Sequence, residues 1–375
     1  MSHSRAGDER RKASSWRVRL ASRIRSSYKL QRLRKLHADA MEFRVRSLFL
    51  RATVRHLHGP RKMAYGMNEL IVLCVVRNGA LHVKSFLEHY LALGVRHIVL
   101  LDNDSTDGTV ELARTYDRVT ILRTKCPYRT YETAMKRYLV ERFSQNRWNL
   151  LADIDELFDY PYSDVLGVEA LLAYLNKNSY TAVIAQLLDL FADKALSSLQ
   201  SSTHDSLKER YPYYDISNIR KEDYVFCTLS NARIKMHYGG IRKSTFDTDN
   251  GLTKAALICV SSGLVPFVGW HQTANAAIAD FSCVLLHYPF VSTFYEKVRE
   301  AVQTDRYRVS ASHEYAKYWA RLKDDPGLSL KGETAQKFEG VQRLLESGFL
   351  VVSPEYVRWV DAQRKRTVAG SRSRR

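Results

Sequence analysis

The chain has little of several things. Only five of its 375 residues are cysteines (Cys74, Cys126, Cys227, Cys259 and Cys283), widely scattered and with no CxxC pair. That spacing offers neither a disulfide framework nor a thiolate metal site, and the odd, unpatterned number fits a reducing compartment. Cys74, Cys259 and Cys283 sit in apolar runs and read as core residues. No stretch of about 18 consecutive apolar residues occurs, so no transmembrane helix is expected. The basic N-terminus lacks the continuous apolar segment that a signal peptide needs. Charge of one sign is also scarce where it would matter most. The formal net charge is +18, but residues 1–66 carry +14 of it and 364–375 another +6, leaving the body, 67–363, at −2. A neutral body argues against a catalytic domain shaped for nucleic acid, whose charge should lie on the folded face.

What is present is organised around Trp148–Tyr160, WNLLADIDELFDY. An apolar run arrives abruptly at Asp153, Asp155 and Glu156. In an extended backbone Asp153 and Asp155 share a face, and two desolvated carboxylates call for a cation between them. Mg²⁺ or Mn²⁺ suits oxygen donors that bridge to phosphate. The competing local reading is a helix start, with Asp153 or Asp155 as N-cap and Glu156 and Asp159 in the first turn.

Context favours the cation. Strand patterns at Glu69–Val76, His97–Leu101 and Val119–Leu122 alternate with helical patterns after Gly79, at Val110–Tyr116 and around Tyr131–Phe143, the order of a parallel α/β sheet. Such sheets bind ligands at the carboxyl ends of their strands. Arg77-Asn78, Asp102–Asp104 and Asp153–Glu156 all fall there. Further along, Gly239-Gly240 followed by Arg242, Lys243 and Lys254 suits a diphosphate contact through Arg242 and Lys254. Leu285-Leu286 ends at His287, with His271 and Asp280 upstream as further candidate groups.

VVRNGALHVKSFLEHYLALGVRHIVLLDNDSTDGT followed by WNLLADIDELFDY resembles the nucleotide-sugar half of family-2-type glycosyltransferases with a GT-A fold. The resemblance covers 68–162 and extends loosely to about 302. It departs from the family at Gly79, where many relatives carry Glu, and at Asn103 and Asp104, where Asp and Gly are commoner. The QxxRW motif of processive synthases is missing. The resemblance implies a mostly parallel central sheet flanked by helices, with a Rossmann-like nucleotide half (67–162) and an acceptor half (163–305). A basic, partly helical or disordered arm (1–66) would precede this domain, and a helical segment (306–363) and a basic disordered tail (364–375) would follow it. It further implies transfer of a sugar from a nucleotide-diphosphate donor, UDP-linked, to a glycan or lipid-linked hydroxyl in surface polysaccharide synthesis. On this reading Asp153, Asp155 and His287 hold Mn²⁺ or Mg²⁺. Arg77, Asn78, Asp102, Asn103, Asp104 and Asp153, with Arg242 and Lys254, bind the nucleotide sugar. Asp280, and after it Glu156, takes the acceptor's proton.

Three other classes fit these residues less well. A haloacid-type phosphatase needs Thr or Val where Leu157 stands. A sugar nucleotidyltransferase should open with a Gly-rich basic loop, which VVRNGALHV is not. A non-catalytic module of the same fold would have no need to keep DIDE, the acidic turn and the basic Gly-Gly segment together. From Trp16 to about Leu57 apolar residues recur among arginines, as in an amphipathic helix lying on an anionic membrane or packed on the protein's own body. A nucleic-acid arm is the weakest fit. The expected location is cytoplasmic, peripheral on the inner face of the membrane if the arm anchors there.

Overall fold

The computed structural model describes residues 41–144, 146–200, 206–260, 265–267, 271–304 and 309–372. The disorder expected over 1–15, and the amphipathic pattern up to residue 40, lie outside the described residues. The chain forms two units, one ending at Ala52 and one beginning at Thr53. Within the first, residues 41–52 are helical. The second contains everything else, and it starts earlier than charge alone predicts. Arg55–His58 (β1), assigned to the arm, is an edge strand antiparallel to Val119–Arg123 (β4). Gly59 follows at φ +77, where an added Cβ would lie 2.2 Å from the Val119 carbonyl oxygen, so only glycine allows this approach.

The central sheet also contains Ile71–Val76 (β2), His97–Asp102 (β3), Trp148–Leu151 (β5), Glu156–Asp159 (β6) and Ala182–Phe191 (β7). After the short strands Tyr213–Tyr214 (β8), Ile219–Asp223 (β9) and Lys235–Gly239 (β10) come Thr253–Cys259 (β11), Val265–Phe267 (β12), Gln272–Ala274 (β13) and Ile278–His287 (β14). The main order is β1-β4-β3-β2-β5-β11-β7-β14-β6. β2 to β5 run parallel, β11 opposes β5 and β7, and β14 is parallel to β7, so six of these nine strands point one way. The expected α/β sheet, mostly parallel and flanked by helices, is borne out.

Its apolar runs explain the architecture. IVLCVV, HIVLLD and AVIAQLLDLF are buried almost throughout, as strands covered on both faces must be. The Ala80–Leu93 helix lays Val83, Phe86, Leu87 and Tyr90 on the sheet and stops at Gly94, whose φ of +92 closes the last turn onto Leu91 and Tyr90. From β2 the chain steps outward to β3 and β4, then returns to β5 on the other side. Between β2 and β5 lies a topological switch point, where an open α/β sheet leaves a crevice.

A second apolar cluster, including Phe191, Phe246, Phe290, Phe294, Tyr318 and Leu322, lies under two later helices, Phe294–Thr304 and Val309–Asp324. The tail expected to be disordered from 364 instead continues the Pro354–Arg372 helix as far as 372. That helix is anchored upstream, where Tyr356 stacks on Phe281 with ring centroids 4.1 Å apart. Four of the five cysteines, including Cys74, Cys259 and Cys283, are buried, and none is in a disulfide.

Candidate active site

The aspartates do not sit as strand alternation predicts. β5 ends at Leu151, residues 153–155 form a turn, and Glu156 starts β6 rather than a helix. The turn is closed twice: the Glu156 amide donates to the Asp153 carbonyl at 3.0 Å, and the Asp153 amide donates to Glu156 Oε2 at 2.8 Å. Side chains separated by a turn face different partners. Asp153 meets Lys254 Nζ at 3.2 Å and Lys136 Nζ at 3.6 Å. Asp155 meets Lys297 Nζ at 3.5 Å and His287 Nε2 at 3.7 Å. Although burial opposes ionisation, Lys136 and Lys254 hold Asp153 below the usual carboxylate range, and Lys297 and His287 do the same for Asp155.

His287 is oriented from behind. Its Nδ1 lies 2.6 Å from Asp189 Oδ1, a carboxylate that also receives Arg242 Nε at 2.7 Å and Arg242 Nη2 at 2.9 Å. Arg242 Nη2 also lies 2.9 Å from Nδ1, but the shorter contact is to the carboxylate; Nδ1 therefore carries the proton and donates to Asp189, leaving Nε2 towards Asp155. Burial alone would lower the His287 pKa. The two carboxylates outweigh it and push the value up to about 9. Arg242 continues the network to Glu314 at 3.2 Å.

Asp153, Asp155, Arg242 and His287 all line one cavity of about 700 Å³ at the switch point. Arg77, Asn78 and Asn103 line its other end, with Tyr128 beside them. The loops here are stitched together. The backbone N–H groups of Asn78, Gly79 and Ala80 donate to Ser105 Oγ, Thr109 Oγ1 and Asp107 Oδ2, while Asn78 Oδ1 accepts from the Thr106 amide. Asn103 spends its side-chain amide on the carbonyls of Thr124 and Cys126. The Phe294–Thr304 and Val309–Asp324 helices close the cavity with Glu296, Lys297, Glu300, Glu314, Tyr315 and Tyr318.

Several expected site residues lie elsewhere. Asp102 is fully buried, accepting from Arg123 Nε at 2.7 Å and from the Ser105 amide, so it shapes the acidic turn and does not border the cavity. Asp104, at φ +62, faces Lys125 at 3.9 Å and is also off the wall. Lys254 is sealed beneath Asp153, pairing with Glu156 at 2.7 Å, which removes both Lys254 and Glu156 from contact with a ligand. Arg242 borders the cavity, but Asp189 and Glu314 already neutralise it. Asp280 is the clearest correction. It lies seven residues before His287 on β14, roughly 23 Å back along an extended strand. There its Oδ2 accepts from Tyr174 and Ser353 at 2.8 and 2.5 Å, and it cannot serve as the acceptor's base.

No motif or spacing in the sequence marks Lys136, Asp189, Lys297 or Glu314 as part of this site. Asp189 alone left a trace, as a carboxylate interrupting the buried run AVIAQLLDLF.

A cation fits part of this arrangement. Among the described residues no three His, Cys, Asp or Glu side chains converge closely enough to hold a metal ion. Asp155 and His287 nonetheless face each other at a spacing that two donors to one ion can adopt, and Asp189 backs His287 as an outer-shell carboxylate does. Asp153, held by two lysines, does not join them.

No protein-family model matches the chain, and no curated protein matches it. Solved structures resemble it only distantly. Residues 1–349 of S. aureus TarS are 13% identical, with 68% of this chain and 72% of that one covered at a TM-score of 0.31. A UTP-bound UGPase from Acinetobacter baumannii is 8% identical over 67% and 82%, at 0.23. A UDP-glucose pyrophosphorylase complexed with UDP-glucose is 9% identical over 39% and 66%, at 0.19. Scores this low carry no argument about function, which rests on the site itself.

Proposed function

We propose that this chain is a GT-A-type glycosyltransferase, moving a sugar from a nucleotide-diphosphate donor, UDP-linked, to an acceptor hydroxyl. One observation carries the reading. The turn after β5 presents Asp155 to His287 inside a cavity that begins at the switch point, so a group at the carboxyl ends of the strands meets a carboxylate and an imidazole together.

The wall carries Arg77, Arg242, Lys297 and a protonated His287 against Asp107, Asp153, Asp155, Glu296, Glu300 and Glu314. A diphosphate entering a cavity with this excess of acid needs added positive charge, and a divalent cation that displaces the Nε2 proton of His287 adds it. Mn²⁺ or Mg²⁺ held by Asp155 and His287 would provide it, stabilising the charge that builds on the departing diphosphate. In this reading Lys297 approaches the same phosphates, and the nucleoside lies towards Arg77, Asn78, Asn103 and Tyr128. The helical wall then faces the acceptor, a glycan or lipid-linked hydroxyl of a surface polysaccharide. Its proton passes to Glu296 or Glu300, a turn apart on that wall, in place of Asp280 and Glu156.

Thermal unfolding with UDP, Mn²⁺ and the two together tests this, alongside turnover of UDP-sugars. The expected result is a stabilisation by the pair that exceeds the sum of its parts, and metal-dependent turnover that Asp155→Ala abolishes while circular dichroism stays unchanged. No response to any nucleoside diphosphate would leave a binding module of the same fold. Pyrophosphate release from UTP and a sugar 1-phosphate would make the chain a nucleotidyltransferase.

A further inference from the structure

The helix over residues 41–52 exposes an apolar stripe. Met41, Val45, Leu48 and Phe49 have 56%, 60%, 67% and 54% of their surface exposed. Of the ten large hydrophobic residues left exposed among the described residues, these four fall within nine positions, whereas the other six lie singly apart from the pair Tyr295 and Val302. Scattered exposed hydrophobics need no explanation, but a contiguous patch does. The spacing 41, 45, 48 places them on one helical face, with Ala52 continuing it and Phe49 alongside. Arg44 and Arg51, both exposed, lie about a quarter-turn to one side of the stripe, and Arg46 a similar angle to the other, paired with Glu42.

We propose that this helix lies in the surface of an anionic lipid bilayer, with Met41, Val45, Leu48 and Phe49 entering the acyl boundary and the arginines meeting lipid phosphates. An apolar face bordered by arginines is the composition that sits at such an interface. The surrounding charge selects the occupant, since residues 1–66 hold 18 Lys and Arg against 4 Asp and Glu. A second copy would bring the same +14 against itself and be repelled, whereas an anionic leaflet attracts each cation near its surface. This inference is independent of the glycosyl-transfer reading, and a chain that bound no nucleotide at all would leave it standing.

The test is co-sedimentation of the full chain with phosphatidylcholine vesicles, with and without phosphatidylglycerol. Wild-type protein should bind the anionic vesicles and be released by high salt. The double variant Val45→Glu/Leu48→Glu should bind them about tenfold more weakly. Met41→Ser/Phe49→Ser, which adds no charge, should weaken binding in the same direction and separates loss of apolar contact from repulsion. Undiminished binding by both double variants would overturn the proposal. So would equal binding to neutral and anionic vesicles, binding to neither, or a wild-type dimer that the variants convert to monomer.

Discussion

Asp189→Asn probes the group that no motif announced. Asp189 receives hydrogen bonds from His287 Nδ1 at 2.6 Å and from Arg242 Nε and Nη2 at 2.7 and 2.9 Å. An asparagine of the same shape keeps one acceptor oxygen, loses the charge, and turns an amide N–H₂ towards a guanidinium. Breaking one side of a buried ion pair costs about 3–5 kcal/mol. Glu314 still meets Arg242 at 3.2 Å, so the lower end, about 3 kcal/mol, is expected here. Stability alone would not distinguish a brace from a positioning residue. If Asp189 sets the ring of His287, its loss should also weaken Mn²⁺ binding in the presence of UDP by about 10- to 100-fold, the usual effect of an outer-shell carboxylate. UDP binding without metal should change little. Urea unfolding measures the first effect and calorimetric Mn²⁺ titration the second. A variant less stable by the expected amount, but binding Mn²⁺ with unchanged affinity, would refute the positioning argument and leave Asp189 a structural brace.

Three further outcomes follow from the same geometry. Lys254→Met leaves Asp153 with Lys136 alone and Glu156 buried beside it; urea unfolding should show a loss of about 3–5 kcal/mol, and an unchanged midpoint would mean that Lys254 is not their counter-ion. Asp280→Asn should lower stability yet leave kcat for sugar transfer within about twofold of wild type, since Asp280 bonds Tyr174 and Ser353 far from the cavity; a collapse of kcat would restore it as the base. His97 and His237 are buried, and burial with nearby Arg96 and Arg118, or Lys221, depresses them to about 4 and about 3. Below about pH 6.5 the unfolded chain takes up protons that the folded chain refuses, so stability is full above that value and falls as acid is added. Between about pH 7 and about pH 5 each should remove about 2 kcal/mol, and a flat urea midpoint across that window would contradict their neutral burial.

Much of the sheet was readable because β2 to β5 are short, mostly apolar runs, each followed by polar residues. The order β2, β3, β4, β5 follows from that punctuation alone. The turn at 153–155 was misread for a local reason: period-two alternation presumes that the strand continues, whereas the backbone bends once Leu151 is passed. What stayed hidden was pairing across the fold. Whether Asp153 meets a cation or a lysine depends on Lys136, 17 residues upstream, and on Lys254, 101 residues downstream. The His287 environment draws on β7, the Ile241–Phe246 helix and the Val309–Asp324 helix, which no spacing rule connects. Asp280 misled because proximity to His287 along β14 is distance along a rigid strand.

The helices that close the cavity rest on the Phe246–Phe290–Phe294–Tyr318 cluster, apart from the apolar interior of the sheet. The wall they form is joined to the strand ends chiefly through two ion pairs, Lys297 with Asp155 and Glu314 with Arg242. Side chains at Glu296, Glu300 and Tyr315 can be exchanged without disturbing the strands beneath Arg77 or Asp155. If the proposed function holds, a change of acceptor would be met first on this helical wall, and a change of donor on the strand ends opposite.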